Sequence, residues 1–134
     1  MKRILIADDE PHISRVLRLV LENEGYEVEC ADNGQIALEM FHRQLPDVLI
    51  ADIRMPVLDG KELASRVREN RQHDEILIIM MTSSLENRYQ DWLQGMPNTC
   101  FVGKPVSPRE LVTKINGYFS GAGDNGDDYL AAAI

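Results

Sequence analysis

Three short runs of consecutive apolar residues divide this chain and limit what it can fold into. They occupy positions 4–7, 48–51 and 76–81. Runs without polar interruption are typical of strands that are buried on both faces. Residues 26–31 alternate as a half-buried or edge strand does, and residues 99–102 predict a short fifth strand. The chain is therefore expected to contain five strands, each followed by a helix.

The segments between these strands show helical periodicity. In the first of them the apolar positions are Ile13, Val16, Leu17, Val20 and Leu21. Pro11 suits the first turn of this helix and Gly25 its end, while Asn33, Asp59 and Ser107 stand where later helices need N-caps. Strand and helix boundaries are thus marked along most of the chain.

Alternating buried strands and amphipathic helices predict an α/β fold. We expect a three-layer α/β/α sandwich with a five-stranded parallel sheet, a (βα)5 unit whose crossovers are right-handed. The length of 134 residues is that of one ordinary domain. Residues 1–120 are expected to form that domain, and residues 121–134, rich in Gly, Asp and Ala, to form a weakly ordered tail.

Charge and hydropathy argue against two classes of function. The net charge is −8, with 22 acidic against 14 basic residues, and this opposes direct nucleic-acid binding. No apolar run approaches the roughly 20 residues needed to cross a bilayer, and no signal-peptide pattern is present, so we expect no membrane association and a cytoplasmic location. Cys30 and Cys100 lack metal-ligand spacing and predict neither a zinc site nor a disulfide framework.

Polar side chains follow four of the five predicted strands. They are Asp8, Asp9 and Glu10 after strand 1, Asp52 after strand 3, Thr82 after strand 4 and Lys104 after strand 5. A single acidic residue in such a position is usually a helix cap or a solvated loop residue. Four strand ends together predict a site, because ligands of parallel sheets bind outside the carboxyl ends of the strands.

The residue types at these ends indicate a chemistry. Carboxylates at close range repel one another unless a cation neutralises them. Oxygen ligands without nearby His or Cys favour Mg²⁺. An Asp carboxylate can act as a nucleophile and form an aspartyl phosphate, while a metal ion and Lys104 neutralise the charge that develops on the transferring oxygens. The predicted reaction is phosphoryl transfer to an aspartate.

The same residues resemble a known family. The pair Asp8-Asp9, the segment 52–60 (DIRMPVLDG), the pair Thr82-Ser83 and the pair Lys104-Pro105 together are similar to the receiver domain of two-component response regulators. The resemblance extends over about residues 2–120. It implies the flavodoxin-like strand order 2-1-3-4-5.

The resemblance also implies a role for each matching residue. Asp52 corresponds to the phosphoacceptor, and Asp8, Asp9, Asp52 and the backbone carbonyl of Arg54 correspond to the Mg²⁺ ligands. Thr82 is expected to donate a hydrogen bond to the phosphoryl group and Lys104 to pair with it. Together these roles describe a phosphoprotein that catalyses only its own phosphorylation and dephosphorylation and is otherwise not an enzyme.

Phe101 stands at the family's aromatic switch position. When Thr82 moves toward the phosphate, the ring of Phe101 is expected to turn inward. This change alters the surface formed by the fourth helix, the fifth strand and the fifth helix for partner binding or homodimerisation. A plain core aromatic is the competing interpretation of Phe101, because Phe has no hydroxyl to favour an outward state.

The implied partners are a sensor histidine kinase or phosphotransfer protein, which supplies the phosphate, and a downstream protein effector. Gly95 and Pro97 depart from the family's usual turn before the fifth strand and predict a short fourth helix followed by a long loop. The resemblance implies that the positions of Arg54 and Ser84 influence hydrolysis of the phosphate, and neither side chain orients water as an acid or amide does. We therefore expect a phosphate that lasts longer than in the fastest receivers.

Two alternatives use the same fold. A Mg²⁺-dependent hydrolase with an aspartyl-phosphate intermediate usually has a second Asp two positions after the first, where this chain has Arg54. A phosphate-independent adaptor is disfavoured, though not excluded, by the retention of Asp52, Thr82 and Lys104. A dinucleotide enzyme is weaker still, because no GxGxxG motif follows strand 1. The chain is expected to be a stand-alone receiver or a fragment of a larger regulator.

Overall fold

The computed structural model describes residues 1–83 and 95–121 of the chain. The predicted fourth helix, with Ser84 and Glu86, lies outside these ranges. So do residues 122–134, and their assignment as a tail stays a prediction.

Five parallel strands form one sheet: β1 (Arg3–Ala7), β2 (Glu27–Ala31), β3 (Val48–Asp52), β4 (Leu77–Thr82) and β5 (Thr99–Gly103). Their spatial order is β2-β1-β3-β4-β5, which confirms the order implied by the resemblance. Every residue of β3 and β4 is buried, as consecutive apolar runs predict. β2 lies at one edge with mixed burial, as its alternation predicts.

Four helices are described: α1 (Pro11–Asn23), α2 (Gly34–Arg43), α3 (Gly60–Arg68) and a final helix (Pro108–Ser120), with a short 3₁₀ turn at Arg71–His73. α1 packs against the final helix, and α2 packs against α3. Right-handed crossovers place α1 on one face of the sheet and α2 and α3 on the other. The three-layer α/β/α sandwich is therefore confirmed.

The helices begin at the residues that the sequence marks. The side chains of Asn33, Asp59 and Ser107 each accept the backbone N–H three residues further on, at 2.8, 2.8 and 3.3 Å. α1 differs: it starts at Pro11, and its N-cap residue Glu10 makes no side-chain capping bond. Three helices thus start on a capping side chain, whereas the carboxylate of Glu10 does not cap its helix.

The apolar positions of α1 do not all face the core. Val16 shares the helical periodicity of the apolar residues, yet it is 54% exposed. Ser14, Leu17 and Leu21 face the core instead, because they lie three and four positions apart on one side of the helix. The buried side of α1 therefore includes a small hydroxyl residue, whereas the apolar side chain of Val16 lies outside it.

No described helix combines the length and the apolar character that a bilayer-spanning segment needs.

The start of α3 lies directly against the end of β3. A Cβ atom on Gly60 would stand 2.1 Å from the carbonyl oxygen of Asp52 and 2.9 Å from Cε of Met80. The N–H of Gly60 also donates to the carbonyl of Ile53 at 2.9 Å. Only glycine allows this approach, so Gly60 fixes the loop that follows Asp52.

We predict that Gly60→Ala destabilises the protein by about 2 kcal/mol, because overpacking of this kind typically costs roughly 1–3 kcal/mol. Urea unfolding followed by circular dichroism measures the change. Gly25→Ala is the control without a packing clash: Gly25 has φ +95° and no atom near its missing Cβ, so alanine there would strain only the backbone. A Gly60→Ala protein as stable as the wild type would contradict the packing described here.

Candidate functional site

The polar residues that end the strands meet at one edge of the sheet. Asp8 directly follows β1, Asp52 and Thr82 are the last residues of β3 and β4, and Lys104 directly follows β5. The backbone N–H of Lys104 donates to the carbonyl of Thr82 at 2.7 Å. The parallel sheet therefore brings together residues that are far apart in sequence.

Four carboxylates lie close together at this edge. One oxygen from each of Asp8, Asp9, Glu10 and Asp52 lies within 4.8 Å of the others. Asp8 and Asp52 are only 1% and 6% exposed, whereas Asp9 is exposed. Such a set of oxygen ligands can hold a metal ion. It contains the three predicted carboxylate ligands and also Glu10, which was not predicted as a ligand.

Asp8 is a buried carboxylate of which only one oxygen has a hydrogen-bond donor. Its Oδ1 accepts the backbone N–H of Glu10 at 2.9 Å, but its buried Oδ2 has no hydrogen-bond partner. Burial raises the pKa of Asp8, and the charges of Asp52 and Glu10 raise it further, against the opposing effects of the Glu10 N–H and Lys104. A buried acceptor without a donor is the environment that a divalent cation satisfies, so the residues present fit a metal ion.

Both oxygens of Asp52 are engaged. Oδ1 accepts the backbone N–H of Arg54 at 3.2 Å, and Oδ2 accepts the ammonium group of Lys104 at 2.5 Å. The N–H of Ile53 donates to the carbonyl of Met81 at 3.0 Å and ties the chain just after Asp52 to β4. The carboxylate of Asp52 is therefore buried, oriented and paired with one cation.

Lys104 contacts two carboxylates. Its Nζ lies 2.5 Å from Oδ2 of Asp52 and 3.4 Å from Oε1 of Glu10. Burial alone would lower the pKa of Lys104, but the hydrogen bond to Asp52 and the charges of Asp52 and Asp8 outweigh it and raise the pKa above its ordinary value. Lys104 is thus held in its charged form at the acidic edge.

Thr82 and Phe101 are both buried, at 5% exposure each. In the register of β4 and β5, Met80 pairs with Phe101 and Thr82 pairs with Gly103. Thr82 and Phe101 therefore lie on neighbouring strands, two positions apart in the register. The ring of Phe101 is already inside the protein in this structure. Its role as a switch stays a prediction, which requires a second, outward arrangement.

An open cavity of about 560 Å³ lies beside the acidic edge. Its lining includes Asp9 together with the exposed basic side chains Arg54 and Lys61. Arg54 was identified from sequence through its place in the motif, whereas Lys61 was missed because nothing in the local pattern separates it from an ordinary surface lysine. The contact between Glu10 and Lys104 was missed as well, because it joins residues 94 positions apart.

Comparison with known proteins identifies relatives along most of the chain. Residues 4–116 match the family described as response regulator receiver domain. The transcriptional regulatory protein TrcR of Mycobacterium tuberculosis is 36% identical over 115 residues, which cover 86% of this chain but 44% of TrcR. The chain therefore spans under half the length of that relative.

Two further comparisons cover nearly the whole of the other chain. An uncharacterized 14.6 kDa protein of Leptolyngbya boryana is 38% identical over 116 residues, or 86% of this chain and 88% of that protein. The crystal structure of the response regulator protein TrrA of Thermotoga maritima, in complex with Mg²⁺-BeF, is similar with a TM-score of 0.74 and 36% identity. It covers 88% of this chain and 99% of that one.

We predict that Asp8→Asn stabilises the protein at pH 7 in the presence of a chelator. The raised pKa means that the folded chain binds a proton at Asp8 more tightly than the unfolded chain, so this carboxyl group favours folding at low pH and loses that contribution as pH rises through its folded pKa. Removing the charge should therefore raise the free energy of unfolding at pH 7, where the folded chain holds the buried carboxylate without enough compensation.

Thermal unfolding at several pH values measures this gain, which should shrink as the pH falls through the raised pKa of Asp8 toward its ordinary value. Saturating Mg²⁺ should reverse the order, because the wild type then gains binding energy that the variant lacks. Asp32→Asn, at an exposed position, is the control and should change little. Equal stabilities of the wild type and Asp8→Asn at pH 7 would refute the claim that the buried charge of Asp8 destabilises the fold.

Proposed function

Since the chain belongs to the response regulator receiver domain family, we propose that it accepts a phosphoryl group on Asp52 and acts as a phosphorylation-controlled switch. The observation that carries this proposal is the buried Asp52 carboxylate, paired with Lys104 inside a cluster of acidic groups. A buried nucleophilic carboxylate beside a fixed cation is suited to an anionic substrate, because the cation stabilises charge on the transferring oxygens.

The donor is a histidine kinase or a phosphotransfer protein. In the transfer, an oxygen of Asp52 forms a bond to phosphorus while the bond from phosphorus to the donor's imidazole nitrogen breaks. The cavity beside Asp9, lined by Arg54 and Lys61, gives a phosphorylated side chain room to approach. The membership of the chain in this family supports a donor of this class, and no feature of the chain identifies the individual kinase.

Mg²⁺ is the metal that we propose for the acidic cluster. Asp8, Asp9 and Asp52 would hold it with the backbone carbonyl of Arg54, and the orphaned Oδ2 of Asp8 supports this assignment. When bound, Mg²⁺ supplies charge neutralisation at the phosphoryl oxygens. The similar protein TrrA was crystallised in complex with Mg²⁺-BeF.

The remaining residues of the edge position the phosphoryl group. Lys104 pairs with its oxygens, and Thr82 donates a hydrogen bond from its hydroxyl. The N–H of Arg54 holds one oxygen of Asp52 in place, as it does in this structure. The backbones of these residues are held at or just after the ends of β3, β4 and β5, so transfer requires movement of side chains and not of the sheet.

The output of the switch is a change in binding surface. We infer that Thr82 and Phe101 couple the phosphoryl group to the surface around β5 and the final helix, which then binds a protein effector or a second copy of the chain. The chain spans under half of the regulator TrcR. The effector is therefore part of the proposal.

The chain is proposed to catalyse only its own phosphorylation and dephosphorylation. A hydrolase of the same fold class usually has a second Asp where this chain has the exposed Arg54. An adaptor that ignores phosphate has no need of the paired Asp52 and Lys104. Neither alternative is favoured by an observation at the site.

We predict that the wild type gains one phosphoryl group when it is incubated with Mg²⁺ and acetyl phosphate, and that Asp52→Asn gains none. Intact-mass spectrometry measures the adduct, which should survive mild acid and be lost in base. A wild type without such an adduct, or an adduct that persists in Asp52→Asn, would refute the assignment of Asp52 as phosphoacceptor.

We predict that Arg54→Asn shortens the lifetime of the phosphorylated form about tenfold, because an amide at this position can orient an attacking water. This effect is modest beside the roughly 10²–10⁴-fold effect of a positioned general acid or base. Phosphate release from the purified phosphorylated protein measures the lifetime. Arg54→Lys keeps the charge and should keep the lifetime. Loss of phosphate from the wild type within seconds at neutral pH would contradict the expected slow hydrolysis.

A further inference from the structure

Glu10 has an unusual place at the acidic edge. It stands at the N-cap of α1, where Ser, Thr, Asp and Asn are preferred, yet its side chain makes no capping bond. Its carboxylate instead points to Lys104, with 3.4 Å between Oε1 and Nζ. The other contact of this carboxylate is His12, whose Nε2 lies 3.8 Å from Oε2. The carboxylate of Glu10 therefore contacts Lys104 and does not cap α1.

The backbone of Glu10 is also fixed at this place. Its N–H donates to Oδ1 of the buried Asp8 at 2.9 Å, and Pro11 follows directly as the first residue of α1. The side chain is 43% exposed, whereas that of Lys104 is 17% exposed. The loop after β1 thus holds a half-exposed carboxylate over the ammonium group that the loop after β5 supplies.

Phosphorylation requires one oxygen of Asp52 to be released. Oδ1 is bound by the N–H of Arg54, which belongs to the backbone, and Oδ2 is bound by the side chain of Lys104. The lysine side chain can rotate, whereas the backbone N–H is fixed by the loop. Lys104 is therefore the donor that moves, and the carboxylate of Glu10 is an anionic acceptor already within 3.4 Å of it.

We propose that Glu10 is a positioning residue that shares the ammonium group of Lys104 with Asp52 and receives it as Asp52 attacks phosphorus. The proposal rests on the function proposed above. With acetyl phosphate, a bond forms between an oxygen of Asp52 and phosphorus, and the bond between phosphorus and the acetate oxygen breaks. The electron pair leaves with acetate, and neither a proton transfer nor a redox change is needed. Lys104 stays at the site throughout, anchored by Glu10.

Two substitutions test the contact. Glu10→Gln keeps the length of the side chain and removes its charge, whereas Glu10→Asp keeps the charge and draws the carboxylate back by about 1.5 Å, one C–C bond. Asp is also a preferred N-cap, so Glu10→Asp is expected to fold. Thermal unfolding verifies both variants. Glu39→Gln, at an exposed position of α2, is the control for the loss of one charge.

The measurement is the rate of phosphorylation at saturating Mg²⁺ over a range of acetyl phosphate concentrations. It gives the maximal rate and the half-saturating concentration of acetyl phosphate separately. We expect both Glu10 variants to lose about three- to fivefold in maximal rate, in keeping with a half-exposed ion pair. Glu39→Gln should match the wild type. The affinity of Glu10→Asp for Mg²⁺, measured by calorimetry, should be unchanged.

Three results would overturn the proposal. A Glu10→Asp variant with the wild-type rate would show that only the charge of Glu10 matters. A loss that is present at low Mg²⁺ but absent at saturating Mg²⁺ would make Glu10 a metal ligand instead. An equal loss in Glu39→Gln would reduce the effect to net charge. A wild type that takes up no phosphate would instead refute the function of Asp52, so the two failures are distinguishable.

Discussion

The ion pair between Lys104 and Asp52 is the contact on which the acidic edge depends. Asp8 and Asp52 are almost fully buried, and buried carboxylates are costly unless a cation compensates them. In the described part of the chain, Lys104 is the cation that contacts Asp52; Asp52 ends β3, whereas Lys104 directly follows β5, and β4 lies between these two strands. The ion pair therefore forms only when β3, β4 and β5 are correctly aligned.

The compensation by Lys104 is incomplete, and this explains why the edge suits a phosphorylation site. One ammonium group faces several carboxylates, and Oδ2 of Asp8 has no partner. An additional cation relieves this excess of negative charge. The proposed phosphorylation of Asp52 would form an acyl phosphate and bring further negative charge to the same cluster, which increases the need for that cation. The repulsion between the carboxylates and the proposed reaction of Asp52 thus have one origin, which is the burial of acidic groups at the end of a parallel sheet.

Patterns within short segments predicted much of the structure. The buried runs became β1, β3 and β4, and the capping side chains of Asn33, Asp59 and Ser107 mark the helix starts. Val16 shows the limit of such patterns: its spacing is apolar and helical, yet the rotation of α1 against the sheet leaves it exposed. The contact of Gly60 with β3 was likewise invisible, because it depends on how closely two elements approach.

The amino-acid sequence by itself determined the alternation of strands and helices, the gathering of acidic residues, Thr82 and Lys104 at strand ends, and the family to which they point. These are local properties, since hydrophobic period and capping act over a few residues. Only the tertiary structure decided which carboxylates share Lys104, because its contact with Glu10 joins residues 94 positions apart. It also decided that Asp8 keeps an unpaired oxygen. Burial and charge pairing depend on atoms from distant segments, and only packing brings these together.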